Sequence, residues 1–512
     1  MRRIASLAVL LAACGGRHPS TEPGAVAPVP ASAPAPAPAA SALPAGDNVL
    51  AEVLARNRDP GRRPAARFRA GHVTPRAKPS PTRTARGFEI RFGSRAPVAT
   101  PAVYDGRVYV SGGFRAAELY AFETRTGRPV WAVTLDDDGA STPACADRVC
   151  VFNTESCTLF AVDAATGAMR WSWWLGDPLT SAPTIAGGRV FTSYPAAATV
   201  DGSPRPDGAS HALAAFDLQR GDVRWQLWLD SDVMSAPVAV GDFLYVSTFA
   251  GTLLKIEQAT GAIRYAVRAR ATSAPVVQFH GDLETMYYTR RGVAEQGGAE
   301  EMIIRADHNE PQTTYQAHGK RADYLDDKVQ ADSTYADEGS ANDEANGFGQ
   351  GAPAAANAKA AAGTVGQAAV ATLQAFQGSR ILALGELNVN TMGDEVVATR
   401  AADGALVWSR KLAGDARRDG GFLGTAPIAA GPSVLVATLG GEVLELAPGD
   451  GKVRARYPVG ARVRAQPVAV DGWIYAGTED GRLVAIDTGK PELTGWPMWG
   501  GNAARTGVAA GP

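Results

Sequence analysis

From Ala96 onward the apolar and polar positions of the chain repeat. Each copy opens on a small residue and proline, runs through a short apolar stretch, turns tightly and continues as a β-rich segment. Thr100-Pro101-Ala102-Val103 leads to a turn at Asp105-Gly106 and then to Arg107-Val108-Tyr109-Val110. The same opening recurs at Pro143, Pro183, Pro237, Pro275, Pro427 and Pro467, and a copy without the proline runs through Ala371 to Leu384. Short strands with turn signals every few residues predict a repeating all-β architecture.

The second half of each copy is more regular. Ala121-Phe122-Glu123 precedes Thr126-Gly127, and Trp131 follows; the next two copies place Asp163, Gly167 and Trp171, then Asp217, Gly221 and Trp225. The fourth has Glu257, Thr260-Gly261 and Tyr265, and the fifth is worn to Asp307, Glu310-Pro311 and Tyr315. The sixth reads Asp403-Gly404 and Trp408, the seventh Asp450-Gly451 with Ala455 at the aromatic position, and the eighth stops after Asp487-Thr488-Gly489. An acid followed by threonine-glycine makes a tight turn, because glycine is free to adopt positive φ. The aromatic on the following strand is expected to pack on a neighbouring unit. Four strands per unit and radial repetition predict an eight-bladed β-propeller of four-stranded antiparallel blades. The eighth copy lacks a fourth strand. Phe88-Glu89-Ile90-Arg91-Phe92 alternates apolar and charged residues like a strand, so this N-terminal segment is expected to close the ring.

These repeats resemble the PQQ-type propeller repeat, shared by quinoprotein dehydrogenases and by outer-membrane barrel-assembly lipoproteins of the BamB type. The resemblance covers Phe88 to about Gly507, including the tail Trp496-Pro497-Met498-Trp499-Gly500 and Arg505-Thr506-Gly507. The dehydrogenases imply PQQ and calcium at the propeller centre; the assembly proteins imply a protein-binding scaffold. Such tryptophans are more often blade-packing residues than a binding box.

Composition narrows the choice. The 512 residues are 45% hydrophobic with a formal net charge of −2, enough apolar content for a large core and no global pull toward nucleic acid. Arg2-Arg3 and the apolar stretch Ile4 to Ala13 read as an export signal, too short for a permanent span. Leu11-Ala12-Ala13-Cys14-Gly15 resembles a lipoprotein lipobox, which implies a signal peptide over 1–13, acylation of Cys14 and a place in the bacterial envelope, at the outer membrane facing the periplasm. Residues 14–87 read as a disordered tether, Ala/Pro-rich at first and Arg-rich over Arg56 to Arg86. The arginines either face solvent or touch anionic lipid or cell-wall polymer. The propeller then spans 88–512, with an insert over about 318–366.

There is no HExxH pair and no G-x-S-x-G elbow. Gly347-Phe348-Gly349-Gln350-Gly351 mimics part of a phosphate loop but follows no strand pattern. Asp136-Asp137-Asp138 attracts calcium only if it is not an ordinary solvated loop. No adjacent cysteines are present, and no acid and amide trio matches the quinoprotein metal motif, so neither PQQ nor calcium is favoured. Beyond Cys14, Cys145, Cys150 and Cys157 lie in the second copy. Cys150 and Cys157 flank Asn153-Thr154 symmetrically, and Cys145 and Cys150 flank Asp147-Arg148. A Cys150–Cys157 bridge is preferred, with free thiols as the alternative.

The expected function is therefore a non-catalytic, lipid-anchored protein-binding or assembly scaffold with an envelope protein partner, and the resemblance to the BamB-type proteins points to outer-membrane protein assembly. The alternatives are a PQQ-dependent dehydrogenase or relic of one, and a binder of cell-wall glycan or another envelope ligand. In a propeller, second-to-third turns and inter-blade links share one face. Tyr194 to His211, Arg290 to Glu301, Asn388 to Asp394 and the insert with Tyr324, Tyr335 and Phe348 all belong to it, which predicts that the partner binds there.

Overall fold

The computed structural model describes residues 42–43, 47–321 and 381–508, with breaks at 60–61, 69–70, 114–115, 155–157, 176–180, 197, 270, 272, 281–282, 294–298, 308–313, 417–418 and 420–421. Its strands form eight antiparallel sheets built from consecutive strands, the eight blades of a propeller. Blade one comprises Ala102–Tyr104, Arg107–Ser111, Glu118–Glu123 and Pro129–Leu135. Inner strands are covered on both faces by the adjacent blades, so they are apolar almost throughout: Val149–Asn153, Ser433–Ala437 and Trp473–Gly477 are wholly buried. Outer strands reach solvent and alternate, as Val453–Pro458 does.

The tryptophans of four outer strands join one blade to the next. Trp131 Nε1 donates to Ala164 O at 3.0 Å, Trp171 Nε1 to Leu218 O at 2.9 Å, Trp225 Nε1 to Gln258 O at 2.9 Å and Trp408 Nε1 to Pro448 O at 2.6 Å. Each acceptor sits in the third-to-fourth turn of the following blade, where the motif glycine also lies. Glycine is required there twice over. Gly167 has φ +74, and a Cβ on it would come within 2.8 Å of the Trp131 ring; at Gly221 the distance to Trp171 would be 2.7 Å. The acid of the motif organises the same turn: Asp163 Oδ1 accepts from the amides of Ala165 and Thr166 and from Thr166 Oγ1.

Ring closure follows the expected route. Gly87–Arg91 pairs antiparallel with Arg482–Asp487 and supplies the fourth strand of blade eight. Phe88 lies opposite Ala485 as Trp131 lies opposite Ala121. A Cβ on Gly127 would meet the Phe88 ring at 2.6 Å, so Phe88 occupies the blade-packing aromatic position of the last blade.

The N-terminal segment corrects one expectation. Residues 14–41 lie outside the described residues, Cys14 among them, but the rest of the assigned tether is built into the fold. It runs along the outer rim in the order opposite to the blades. Ala42–Leu43 pairs with Thr314–Arg321 of blade five and Asp47–Asn48 with Ile263–Arg268 of blade four. Pro64 bridges Thr199 of blade three. Arg67–Phe68 then pairs with Met169–Trp174 of blade two, Val73–Pro75 with Pro129–Leu135 of blade one, and Thr82–Thr84 with the closing strand. A short helix, Leu50–Arg56, buries Val53 on the way. At blade three Asn57 acts as a strand in miniature: its Oδ1 accepts from Trp228 N at 2.7 Å and its Nδ2 donates to Trp228 O at 3.1 Å. Several basic residues here bond within the protein, Arg62 to Pro204 O, Lys78 to Val130 O and Arg76 to Glu118. The physical cause is the bare edge of each outer strand, whose amides and carbonyls any extended segment can pair with, whatever its side chains. Composition, which reads side chains, points to disorder instead.

Three loop expectations also change. Asn388 to Asp394 is not an excursion: Leu387–Met392 is a strand joined by a tight turn to Glu395–Arg400. Most of Arg290 to Glu301 belongs to a long hairpin, Leu283–Val293 with Ala299–Asp307. His318–Arg321 ends the fourth strand of blade five, Thr314–Arg321, while 322–366, with Tyr324, Tyr335, Phe348 and the Gly347–Gly351 stretch, lies outside the described residues.

The cysteine pairing is likewise corrected. The disulfide joins Cys145 to Cys150, with Cα atoms 4.1 Å apart. These two residues face each other directly across the hairpin of Ala144–Ala146 with Val149–Asn153. Asp147 and Arg148 both take positive φ between them, the geometry of a two-residue hairpin turn. Cys150 is thereby unavailable to Cys157, which lies outside the described residues.

Candidate binding surface and axial channel

The second-to-third turns of four blades share one construction. A threonine ends the second strand, and the third begins four residues later. Thr158 N donates to Thr154 Oγ1 at 2.9 Å, Thr252 N to Thr248 Oγ1 at 3.2 Å and Arg482 N to Thr478 Oγ1 at 3.0 Å, while Thr438 N donates to Glu442 O at 2.9 Å. The signal is legible as Thr248-Phe249-Ala250-Gly251, Thr438-Leu439-Gly440-Gly441 and Thr478-Glu479-Asp480-Gly481; sequence reasoning overlooked it because the threonine-glycine turns of the opposite face dominate the pattern. Asp137 serves this construction, accepting from Thr154 Oγ1 at 2.9 Å. Among the described residues no group of three His, Cys, Asp or Glu side chains is placed to hold a metal ion.

One long loop rises from this face, residues 196–210 of blade three. Asp201 organises its tip by accepting from Thr199 Oγ1 and from Ser203 Oγ and N, which holds its carboxyl at about 2. The N-terminal rim pins its outer side, since Val200 N donates to Arg63 O and Ala65 N to Ala198 O. Beneath it His211 is buried. Its Nδ1 is 2.8 Å from Ser210 Oγ, its Nε2 has no partner among the described residues, and burial pushes its pKa down against the opposing pull of Asp232 and Asp230. On the opposite side of the same face, Arg462 bridges Asp419 and Glu479, each at 2.9 Å, and Arg464 joins Glu479.

The central channel is filled by the chain's own C-terminus. The inner edge of each innermost strand presents backbone groups toward the axis, and the tail supplies acceptors for them. Ala469 N donates to Trp496 O at 2.9 Å, Val103 N to Pro497 O at 2.6 Å, Ile185 N to Ala503 O at 2.8 Å, Ala239 N to Ala504 O at 2.9 Å and Ala383 N to Gly507 O at 3.2 Å. Five blades are thus tied to one segment. Gln466, in the position before the blade-opening proline, clamps it: its Oε1 accepts from Gly500 N at 3.0 Å and Trp496 Nε1 at 3.3 Å. Arg505 is 2% exposed. It donates to Trp499 O at 2.5 Å, Pro183 O at 3.2 Å and Thr142 O at 3.5 Å, and its guanidinium lies 5.0 Å from the centre of the Trp499 ring. Burial pulls its pKa down to about 9. Beside it, between Trp499, Gly500, Gln466, Ala236 and Ala274, is a cavity with about 10 Å³ of space for a water centre, room for about one molecule of water.

The fold and the filled axis define a β-propeller of PQQ-type repeats. The chain belongs to the outer membrane protein assembly factor BamB family, whose sequence model matches residues 77–291 and 392–494, more than half of its length. Among curated relatives, BamB of Moranella endobia (strain PCIT) is 26% identical over 171 residues, 31% of this chain and 41% of that protein. BamB of Yersinia pestis is 25% identical over 183 residues, 32% of this chain and 43% of that protein. The matches thus span under half of either relative. The crystal structure of BamB from Moraxella catarrhalis superposes with a TM-score of 0.48 at 16% identity, covering 81% of this chain and 97% of that one.

Proposed function

We propose that this protein is a non-catalytic envelope scaffold that binds a protein partner in outer-membrane protein assembly. The observation that carries the reading is membership of the BamB family combined with an axis filled by the chain's own tail. The cavity beside Trp499 has room for about one water, much less than a tricyclic quinone occupies, which supports the scaffold reading over the dehydrogenase alternative. We propose accordingly that the protein acts without PQQ or calcium. We further propose that Cys14 is acylated and anchors the chain to the outer membrane, with the propeller in the periplasm.

The partner is assigned to the face carrying the 196–210 loop and the blade-five hairpin, where the described strand Thr314–Arg321 ends. Those segments vary in length while the turns of the opposite face are uniformly short, and binding residues concentrate on loops held by a rigid frame. The test is crosslinking in the native envelope of the full chain and of a variant lacking 322–363. Loss of an outer-membrane assembly partner in the deletion, with unchanged melting, is expected. Retention there, with loss on charge reversal of Asp105 and Arg107 at the short-turn face, would place the partner on the other side. Recovery of cell-wall glycan alone would replace the reading by the glycan-binding alternative.

A further inference from the structure

We propose that the axial cavity at Arg505 binds one halide ion, such as chloride, which holds the C-terminal tail in the channel. This goes beyond the scaffold reading and does not depend on it.

The case rests on a buried charge that is unbalanced among the described residues. A guanidinium keeps its proton in proteins, and a buried charge is costly unless paired. Every hydrogen-bond partner of Arg505 is a backbone carbonyl, and among the described residues no carboxylate pairs with it. Carbonyl dipoles offset part of the charge and leave the net positive charge in place. Of the five N–H groups of a guanidinium, Nε and both Nη2 hydrogens are accounted for by Pro183 O and Thr142 O, and one Nη1 hydrogen by Trp499 O. One Nη1 hydrogen is left over.

The surroundings suit an anion of this size. Arg505 lines the cavity, and no acidic residue does. Ser235, next to the lining residue Ala236, is fully buried, holds φ +65, and its Oγ has no partner, which makes a second unused donor close by. Small alanines leave the space, and its volume, near that of one water, excludes sulfate and phosphate. Because Arg505 ties Trp499 of the tail to Pro183 and Thr142 of the blade openings, neutralising it strengthens the plug.

The test uses the full chain. Sodium gluconate is replaced stepwise by chloride or bromide, and separately by formate, at constant ionic strength while melting is followed. A saturable rise in Tm of about 2 °C is expected for the halides and not for the larger formate, and bromide-soaked crystals should show one anomalous peak within hydrogen-bonding distance of Arg505 Nη1. Arg505→Met should abolish both. Should that variant fail to fold, the bromide peak in the unaltered protein decides. Water at the position under saturating bromide, or a folded Arg505→Met that keeps the anion-dependent rise, overturns the proposal. A rise with formate but no halide peak and no halide effect likewise overturns it.

Discussion

Arg482 Nη1 donates to Glu89 Oε2 at 2.8 Å, an ion pair between residues 393 positions apart in the chain. It lies where the first propeller strand meets the last blade. On the same strand Phe88 fills the place that tryptophan takes elsewhere in the ring.

Phe88→Ala is expected to lower unfolding stability by about 3–5 kcal/mol, the usual cost of emptying a fully buried aromatic site. Because the residue closes the ring, deleting 88–92 should lower the urea midpoint of the whole domain. A deletion that melts like the intact protein would show that the ring does not depend on this strand.

Truncation after Gly495 removes the acceptors for five inward-facing amides. At about 1 kcal/mol for each bond, a loss on the order of 5 kcal/mol is expected, read by urea unfolding. Gln466→Leu, which frees only the clamp on Trp496 and Gly500, should cost a fraction of that.

Peptide mapping without reduction should recover Cys145 joined to Cys150 and Cys157 as a separate thiol. The double change of Cys145 and Cys150 to serine should cost about 2 kcal/mol, since the closed loop is short. Recovery of a peptide linking Cys150 to Cys157 would contradict the hairpin pairing.

His211 makes stability fall with acid. Its folded pKa lies below the ordinary value of 6.5, so below that pH the unfolded chain takes up a proton that the folded protein refuses. The contribution is present above about pH 6.5 and is lost progressively as pH falls toward the folded value. Asp230 and Asp232 oppose the shift and Arg205 adds to it. His211→Asn should flatten the melting profile below about pH 6.5; an unchanged slope would mean that another group titrates there.

The repeat itself was legible because packing demands it. Tryptophan and glycine at constant spacing can only be met by identical neighbours, so Trp131, Trp171, Trp225 and Trp408 announce blades before any coordinates exist. The worn copies were harder. Ala455 at the aromatic position coincides with open space around Gly489, a local repacking that no single sequence position reveals. The disulfide was half legible: both hairpins were symmetric, and the choice fell to the one whose turn residues, Asp147 and Arg148, adopt positive φ.

What the sequence by itself determined was the strand repeat, the blade count, the closing strand and the family, all of which depend on side-chain pattern at short range. Tertiary structure alone decided the course of the two chain ends. The rim of extended segments over residues 42–84 and the tail over 496–508 are held chiefly by backbone hydrogen bonds to the outer and inner edges of the blades. Every residue but proline offers the same amide, and every residue the same carbonyl. Such pairing leaves almost no mark on composition, and it becomes visible only when the ring presents its two bare edges.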